Sequence, residues 1–279
     1  MSDPLPEWAA AFELDRLPVV PRLYLDGPIT AAWALGGSRG AGIKVAVIDS
    51  GIDADHPSVG GVDGAVIVEP DETAEDGYRI VDGPHRDLYG HGTACAGIIR
   101  SIAPDVELYS VRVLGERLTG KGWIFAAGLD WAITAGMDVV NLSLSTSNDD
   151  YQSMFHELTD AAAFARVMLV SAMANEPKRT IPSEFSAVFS TAAIRSDDPL
   201  EVRYNSASPA EWGARGVDVD VAWADGSTIT ATGNSFAAPH VAGLIALILA
   251  KHPGLTPFQV KTVLAGLATT GAVTRAQPS

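Results

Sequence analysis

The chain lacks several features that mark secreted or membrane-bound proteins. Its 279 residues include a single cysteine, Cys95, so an intramolecular disulfide is excluded. The first twelve residues, MSDPLPEWAAAF, contain no lysine or arginine and no long apolar run, unlike a signal peptide. The longest clearly apolar helical pattern, 241–250, is about half the length of a membrane span. We therefore expect a cytoplasmic protein with no membrane partner, or a secreted one if an N-terminal segment has been removed from the chain.

Positive charge is also scarce in this chain. It has 19 Lys and Arg residues against 34 Asp and Glu residues, a formal net charge of −15 at pH 7. Nucleic acid is therefore not expected as a partner, because binding to phosphates needs clustered cations. The acidic balance favours either an evenly solvated surface or the attraction of cationic substrates. It gives no indication of the oligomeric state.

The chain instead has a regular alternation of apolar runs with helical patterns. Nearly continuous apolar runs, typical of strands buried on both faces, occupy 44–49, 106–114, 138–144, 167–173 and 187–194. Helical patterns cover 92–101, 123–135, 150–166 and 236–251, and a last helix starts near Thr256 and Pro257. This alternation predicts an α/β three-layer sandwich with a mainly parallel central sheet and helices on both faces.

Domain organisation follows from the composition of the two ends. Residues 41–279 carry the alternating pattern and are predicted to form one domain. Residues 1–40 are rich in proline and mixed in character, which predicts an extension packed on that domain or a short propeptide.

Three short segments carry candidate catalytic groups. Asp49 ends the strand pattern in IKVAVIDSGID, His91 opens a small-residue helix in GHGTACAGII, and Ser235 opens an apolar helix in TGNSFAAPHVAG. Each residue alone has an ordinary structural explanation, such as a helix cap, a packed imidazole or a turn carboxylate. Together they supply a hydroxyl nucleophile, a base for its proton and a carboxylate that orients the base.

These segments, in the chain order Asp, His, Ser, resemble the subtilisin-like serine proteases, or subtilases. The resemblance covers nearly everything from residue 40 onward. An esterase of the α/β-hydrolase kind does not fit, since its chain order differs and no G-x-S-x-G motif surrounds Ser235. The resemblance implies a serine endopeptidase acting through an acyl-enzyme. Ser235 would be the nucleophile, His91 the general base and later the acid, and Asp49 the orienting carboxylate.

The resemblance also implies an oxyanion donor and a peptide-binding cleft. Asn175 in VSAMANEP would donate its amide to the oxyanion, with the Ser235 N–H as second donor. A peptide substrate would bind as an added strand. The predicted walls and pocket floor are, in chain order, Leu118, Thr119, Gly120, Lys121 and Gly122, then Ser143, Leu144 and Ser145, then Ala172, Met173 and Ala174. Asn234 is a further predicted substrate-binding residue.

Three departures from the family suggest a specialised enzyme. The calcium-binding loop that many subtilases carry after the catalytic histidine is absent, so the strong calcium site is predicted to be missing and no cofactor is expected. Asn234 stands where threonine is common, either as a further oxyanion donor or as a helix cap. Ala174 and Ser145 replace common glycines, which would narrow the cleft.

The narrowed cleft favours a selective protease, for example one that matures a peptide precursor, with general intracellular turnover as the alternative role. A catalytically idle homologue that binds peptides is the competing class. Intact Asp49, His91, Ser235 and Asn175 argue against that class.

Overall fold

The computed structural model describes residues 27–269, apart from residues 177 and 208. Most of the predicted 1–40 extension, namely residues 1–26, lies outside the described residues. The boundary proposed at residue 40 stays a prediction.

A mainly parallel sheet forms the centre of the described chain. Its nine strands have the order β3-β2-β4-β1-β5-β6-β7-β9-β8, with antiparallel pairs only at the two edges. The strands are β1 Lys44–Asp49, β2 Gly64–Pro70, β3 Tyr78–Asp82, β4 Glu107–Arg112, β5 Val139–Leu142, β6 Met168–Ala172, β7 Phe189–Ile194, β8 Val202–Tyr204 and β9 Trp212–Arg215. A separate antiparallel hairpin pairs β10 Val219–Ala222 with β11 Thr228–Ala231. The five predicted strands are all present, whereas β2, β3, β8, β9 and the hairpin were not predicted.

Helices cover both faces of the sheet and divide the core into two layers. They are α1 Ala31–Ala34, α2 His91–Ile102, α3 Gly122–Thr134, α4 Gln152–Phe164, α5 Asn234–Lys251 and α6 Pro257–Leu267. One buried cluster joins α2, α5 and α6 to the sheet, and the other joins α3 and α4 to its opposite face. The three-layer α/β prediction is confirmed. The predicted start of α6 is also confirmed, because Thr256 and Gln259 form a capping box and Pro257 occupies the first turn.

Helix α5 is the centre of the first layer. Its length and hydropathy alone would allow it to cross a membrane, but 78% of its 18 residues are buried inside the fold. Its apolar surface is therefore used in packing. At its C-terminal end, the Lys251 ammonium donates to the carbonyls of Ala32 and Gly36 at 2.6 and 2.7 Å. Trp33 stacks on His252 with ring centroids 4.3 Å apart. These contacts pack the described part of the N-terminal segment on the domain.

His240 lies inside α5 with 2% of its surface exposed, and its Nδ1–H donates to the Phe236 carbonyl at 2.8 Å. Burial lowers its pKa from 6.5 to about 4. The imidazole is therefore neutral in the folded state at pH values where it is already protonated in the unfolded chain. The contribution of this neutral imidazole to the free energy of unfolding is complete above pH 6.5, and it is lost as the pH falls toward 4.

His240→Gln should remove part of the acid sensitivity of the fold. A difference of 6.5 − 4 = 2.5 pKa units corresponds to at most about 3 kcal/mol, lost by the wild type between these pH values. Urea unfolding at pH 7 and pH 4 should show a smaller loss of unfolding free energy in His240→Gln. His156→Gln changes an exposed imidazole and is the matched control. Equal pH dependence in the wild type and His240→Gln would contradict the assignment.

Candidate active site

The predicted catalytic residues come from four elements that meet at one edge of the sheet. Asp49 is the last residue of β1, which lies between β4 and β5. His91 is the first residue of α2, and Ser235 is the second residue of α5. Asn175 follows the end of β6. Because the carboxyl ends of parallel strands share an edge, sequence-distant residues converge there. His91, Ser235 and Asn175 line one cleft of about 640 Å³.

Asp49 and His91 form a buried hydrogen-bonded pair. His91 Nδ1 lies 2.8 Å from Asp49 Oδ2 and 2.9 Å from Oδ1. Asp49 is fully buried, and its Oδ1 also accepts from the N–H of Ser50 at 2.8 Å. A carboxylate only accepts hydrogen bonds, so Nδ1 carries the proton. This tautomer leaves Nε2 as the basic nitrogen of His91.

The pKa of His91 reflects opposing effects. Burial lowers the pKa, but the charge and hydrogen bond of Asp49 raise it, as does the charge of a second carboxylate, Asp87. The result is a pKa above the ordinary value of 6.5. The ring is therefore a stronger base than a free imidazole, and it becomes neutral only as the pH passes this raised value.

Ser235 lies in a modified first turn of α5. Pro239, inside this helix, has no N–H to donate to the Ser235 carbonyl. The Ser143 hydroxyl donates to that carbonyl instead, at 2.7 Å. Among the described residues, no hydrogen bond engages Ser235 Oγ. The hydroxyl is therefore available in the cleft.

Gly233 leaves open space between Ser235 and Asn175. A Cβ at Gly233 would lie 3.2 Å from Ser235 Oγ and 3.6 Å from the amide atoms of Asn175. The serine hydroxyl and the asparagine amide thus border the same small volume. The backbone N–H of Asn234 donates to Asn175 Oδ1 at 2.8 Å. Because the backbone N–H can only donate, the Oδ1 of Asn175 must face it. This bond therefore fixes the orientation of the Asn175 amide and leaves Nδ2 as a free donor.

Asn234 has a different position from the one that the sequence suggested. Its Nδ2 donates to the carbonyls of Met173 and Ala174 at 3.2 and 2.9 Å, and its Oδ1 accepts from the Ala193 N–H at 2.8 Å. Both amide hydrogens are used, so the side chain has no donor left for an oxyanion. Asn234 instead ties the start of α5 to the ends of β6 and β7.

Most of the predicted peptide-binding residues line the cleft. Those that do are Leu118, Ser143, Leu144, Ser145, Ala172, Met173 and Ala174. Thr119, Gly120 and Lys121 line a neighbouring pocket of about 280 Å³. Gly122 begins α3 against the ring of Tyr151, where a Cβ would lie 2.4 Å from a ring carbon.

Several cleft residues were missed from the sequence. Tyr89 and Trp223 form an edge-to-face pair with centroids 5.6 Å apart beside His91, and Glu176, Lys178 and Thr180 line the cleft near Asn175. Tyr89 lies two residues before His91, a proximity that could have identified it. Trp223 reaches the cleft from the β10–β11 hairpin, for which the sequence gives no signal.

Among the described residues, the group that could hold a metal ion is Asp49, His91 and Cys95, whose ligand atoms lie within 4.8 Å of one another. Burial, with the charge of Asp49, raises the pKa of the Cys95 thiol well above its ordinary value. The thiol therefore stays protonated and donates to Ser143 Oγ at 3.3 Å. A protonated thiol and an engaged Nδ1 fit a hydrogen-bonded arrangement better than metal ligation.

The predicted absence of the family's strong calcium site stays a prediction. Helix α2 is continuous from His91 to Ile102, with no loop inside it. In its last turn lies Arg100, whose guanidinium donates to four backbone carbonyls, those of Val59, Gly61, Pro104 and Val106. These oxygens already have a cationic partner.

A three-layer α/β domain with a buried Asp–His pair and a helix-start serine at the carboxyl edge of its sheet has the arrangement of a serine hydrolase. The family model described as "Subtilase family" matches residues 40–278, so the chain belongs to the subtilase family.

Individual relatives agree with this membership. The chain is 33% identical over 249 residues to "Subtilisin E" of Bacillus subtilis (strain 168), covering 84% of this chain and 62% of that protein. It is 33% identical to "Subtilisin" of Bacillus pumilus, covering 86% of that protein. The solved structure of "a cold adapted subtilisin-like serine proteinase" superposes with a TM-score of 0.65 at 27% identity, over 82% of this chain and 83% of that one.

Asn234→Asp should destabilise the fold. The substitution would place a carboxylate oxygen against the carbonyls of Met173 and Ala174, removing two hydrogen bonds. We expect the unfolding free energy in urea at pH 7 to fall by about 1–3 kcal/mol.

Asn205→Asp is the matched control. This exposed residue uses only its Oδ1, which accepts from the Ala207 N–H, and aspartate keeps that bond. Equal stabilities of the two variants would show that the ties of Asn234 contribute nothing.

Proposed function

We propose that the protein is a serine endopeptidase that hydrolyses peptide bonds through an acyl-enzyme. The observation that carries this proposal is the buried Asp49–His91 pair beside a cleft that Ser235 and Asn175 also line. Membership of the subtilase family supports the same activity. The proposed roles are those expected from the sequence, with Asn234 moved from substrate binding to support of the site.

The proposed first step forms the acyl-enzyme. His91 Nε2 takes the Ser235 proton while Oγ attacks the substrate carbonyl carbon, and Asp49 stabilises the imidazolium through Nδ1. The oxyanion that forms accepts hydrogen bonds from Asn175 Nδ2 and the Ser235 N–H. Collapse of this intermediate breaks the C–N bond, and His91 gives its proton to the leaving amine. Water then repeats the sequence on the ester and releases the acid, regenerating the Ser235 hydroxyl.

The cleft suits an extended peptide as the substrate. The segment 143–145 continues from β5 along one side of the cleft, and the floor follows from β6. Just beyond this segment, Thr146 forms an antiparallel bridge with Ile181 through two 2.9 Å backbone hydrogen bonds. An added strand would make main-chain hydrogen bonds along such a segment, and the pockets would select side chains.

Ser235→Ala should abolish both labelling by a fluorophosphonate and hydrolysis of a peptide substrate. The alanine has no nucleophile, whereas the fold keeps its buried Asp49–His91 pair. Asn175→Ala should still be labelled but lose about 10²–10³-fold in kcat, the magnitude known for such a donor in subtilisin. A wild type that binds peptides yet is neither labelled nor active would favour the idle homologue instead.

We further propose that the enzyme is selective. Ala174 and Ser145 both line the cleft, and each adds a side chain where the family commonly has glycine. Selectivity would fit maturation of a particular peptide precursor better than general turnover. The proposal also retains a cytoplasmic location and a mechanism without a cofactor, nucleic acid or membrane.

Cleavage of a proteome-derived peptide library, mapped by mass spectrometry, should show a narrow set of residues before the cut. Ala174→Gly should broaden this set, because it removes a methyl group from the pocket floor. Ala135→Gly, at the end of α3 and outside the cleft, is the control. An indiscriminate wild-type profile, or no change in Ala174→Gly, would contradict the proposed narrowing.

A further inference from the structure

A second buried carboxylate, Asp87, lies behind the Asp49–His91 pair. It is 8% exposed and precedes His91 by four residues. Its Oδ1 accepts from the N–H groups of Tyr89 and Gly90 at 2.9 and 2.8 Å, and its Oδ2 accepts from the N–H and hydroxyl of Thr93 at 2.9 and 2.7 Å. A group that only accepts hydrogen bonds here is held as the carboxylate. Asp87 therefore caps the start of α2, where His91 is the first residue.

Ser50 joins this carboxylate to the catalytic pair. The Ser50 hydroxyl is 2.7 Å from Asp87 Oδ1 and 3.2 Å from Asp49 Oδ1, and it is fully buried. The Gly92 N–H donates to the same hydroxyl at 3.3 Å. Because the hydroxyl has a single proton, it donates to the nearer acceptor, Asp87 Oδ1, while the backbone N–H of Ser50 donates to Asp49 Oδ1 at 2.8 Å. Ser50 thus links Asp87 to the Asp49–His91 pair. Asp87 holds the backbone at the start of α2, and Asp49 holds the imidazole that this helix carries.

Few charged side chains among the described residues lie near this hydrogen-bonded network. Asp49 on β1 and Asp87 act on His91, and Cys95 on α2 faces the pair as a neutral thiol. On the far side, His85 and Arg112 face Asp87. Burial and the nearby Arg112 lower the pKa of His85, so this imidazole adds no positive charge at neutral pH.

We propose that Asp87 is a positioning residue for the proposed hydrolysis. It orients His91 by capping α2 and by holding Asp49 through Ser50, and its negative charge stabilises the imidazolium that forms when Ser235 is deprotonated. This role rests on the proposed function, because it acts on the base of that reaction.

A purely structural cap would make a different prediction. It would affect how much protein folds, but not how tightly His91 holds its proton. The charge of Asp87 raises the pKa of His91 together with the larger effect of Asp49. The proton affinity of His91 therefore separates the two roles.

The first test measures His91 directly, without any turnover. His91 is titrated by NMR in Ser235→Ala and in the double variant Ser235→Ala, Asp87→Asn. We expect the double variant to titrate at lower pH. Asp160→Asn removes an exposed carboxylate on α4 and should leave the titration unchanged. If His91 titrates at the same pH in a folded double variant, the charge of Asp87 does not act on His91. That result would overturn the proposal whether or not the protein is a protease.

The second test follows activity. In Asp87→Asn with intact Ser235, the ratio of kcat/KM at pH 5.5 to that at pH 8.5 should rise about twofold or more, because less His91 is protonated at the lower pH. A wild type without any activity would remove the proposed function but not the NMR result. An unchanged ratio in an active Asp87→Asn would overturn the inference.

Ser50→Ala tests the connection while the charge is kept, and it decides the matter if Asp87→Asn does not fold. We expect kcat to fall about 3–10-fold at unchanged KM, with the acid limb of the pH profile in place. Full kcat in folded Ser50→Ala would show that the chain from Asp87 to Asp49 does not position the base, contradicting the proposal.

Discussion

The burial of the Asp49 carboxylate is the constraint on which the site depends. A charge at the end of a fully buried strand is costly unless hydrogen bonds and a partner compensate its lost hydration. His91 and Ser50 supply that compensation, and both must be held in place. The start of α2, the loop after β1 and the cap at Asp87 are all arranged around this carboxylate. The charge and hydrogen bond of Asp49 outweigh the effect of burial on His91 and make it a stronger base, so stability and chemistry share one set of contacts.

Helix α5 meets a second structural requirement at the same edge of the sheet. It is the buried centre of one layer, yet its first turn must expose a serine and leave room beside Asn175. Pro239 removes the usual bond to the Ser235 carbonyl, and Ser143, just after β5, replaces it. Asn234 then ties this turn to Met173 and Ala174, which follow β6, and to Ala193 of β7. The packed contacts behind this turn thus keep Ser235 accessible on the side that faces the cleft.

Much of this arrangement could be predicted from the sequence, and some of it could not. The buried strands and long helices have strong local signals, since long apolar runs and periodic patterns reflect the burial of whole faces in the core. The strands β3 and β8 are short, lie at the sheet edges and are partly exposed, so they have weak patterns. Trp223 reaches the cleft from a separate hairpin, and only folding brings it beside Tyr89.

The sequence by itself determined the chemical groups and their family. Asp49, His91, Ser235 and Asn175 lie in motifs whose residue types and order indicate nucleophilic catalysis. The tertiary structure alone decided what surrounds these groups. It turned Asn234 away from the cleft, gave Arg100 four carbonyl partners, and placed Asp87 behind His91. These outcomes depend on hydrogen-bond directions between segments far apart in the chain, and a local pattern contains no information about which donor will meet which acceptor.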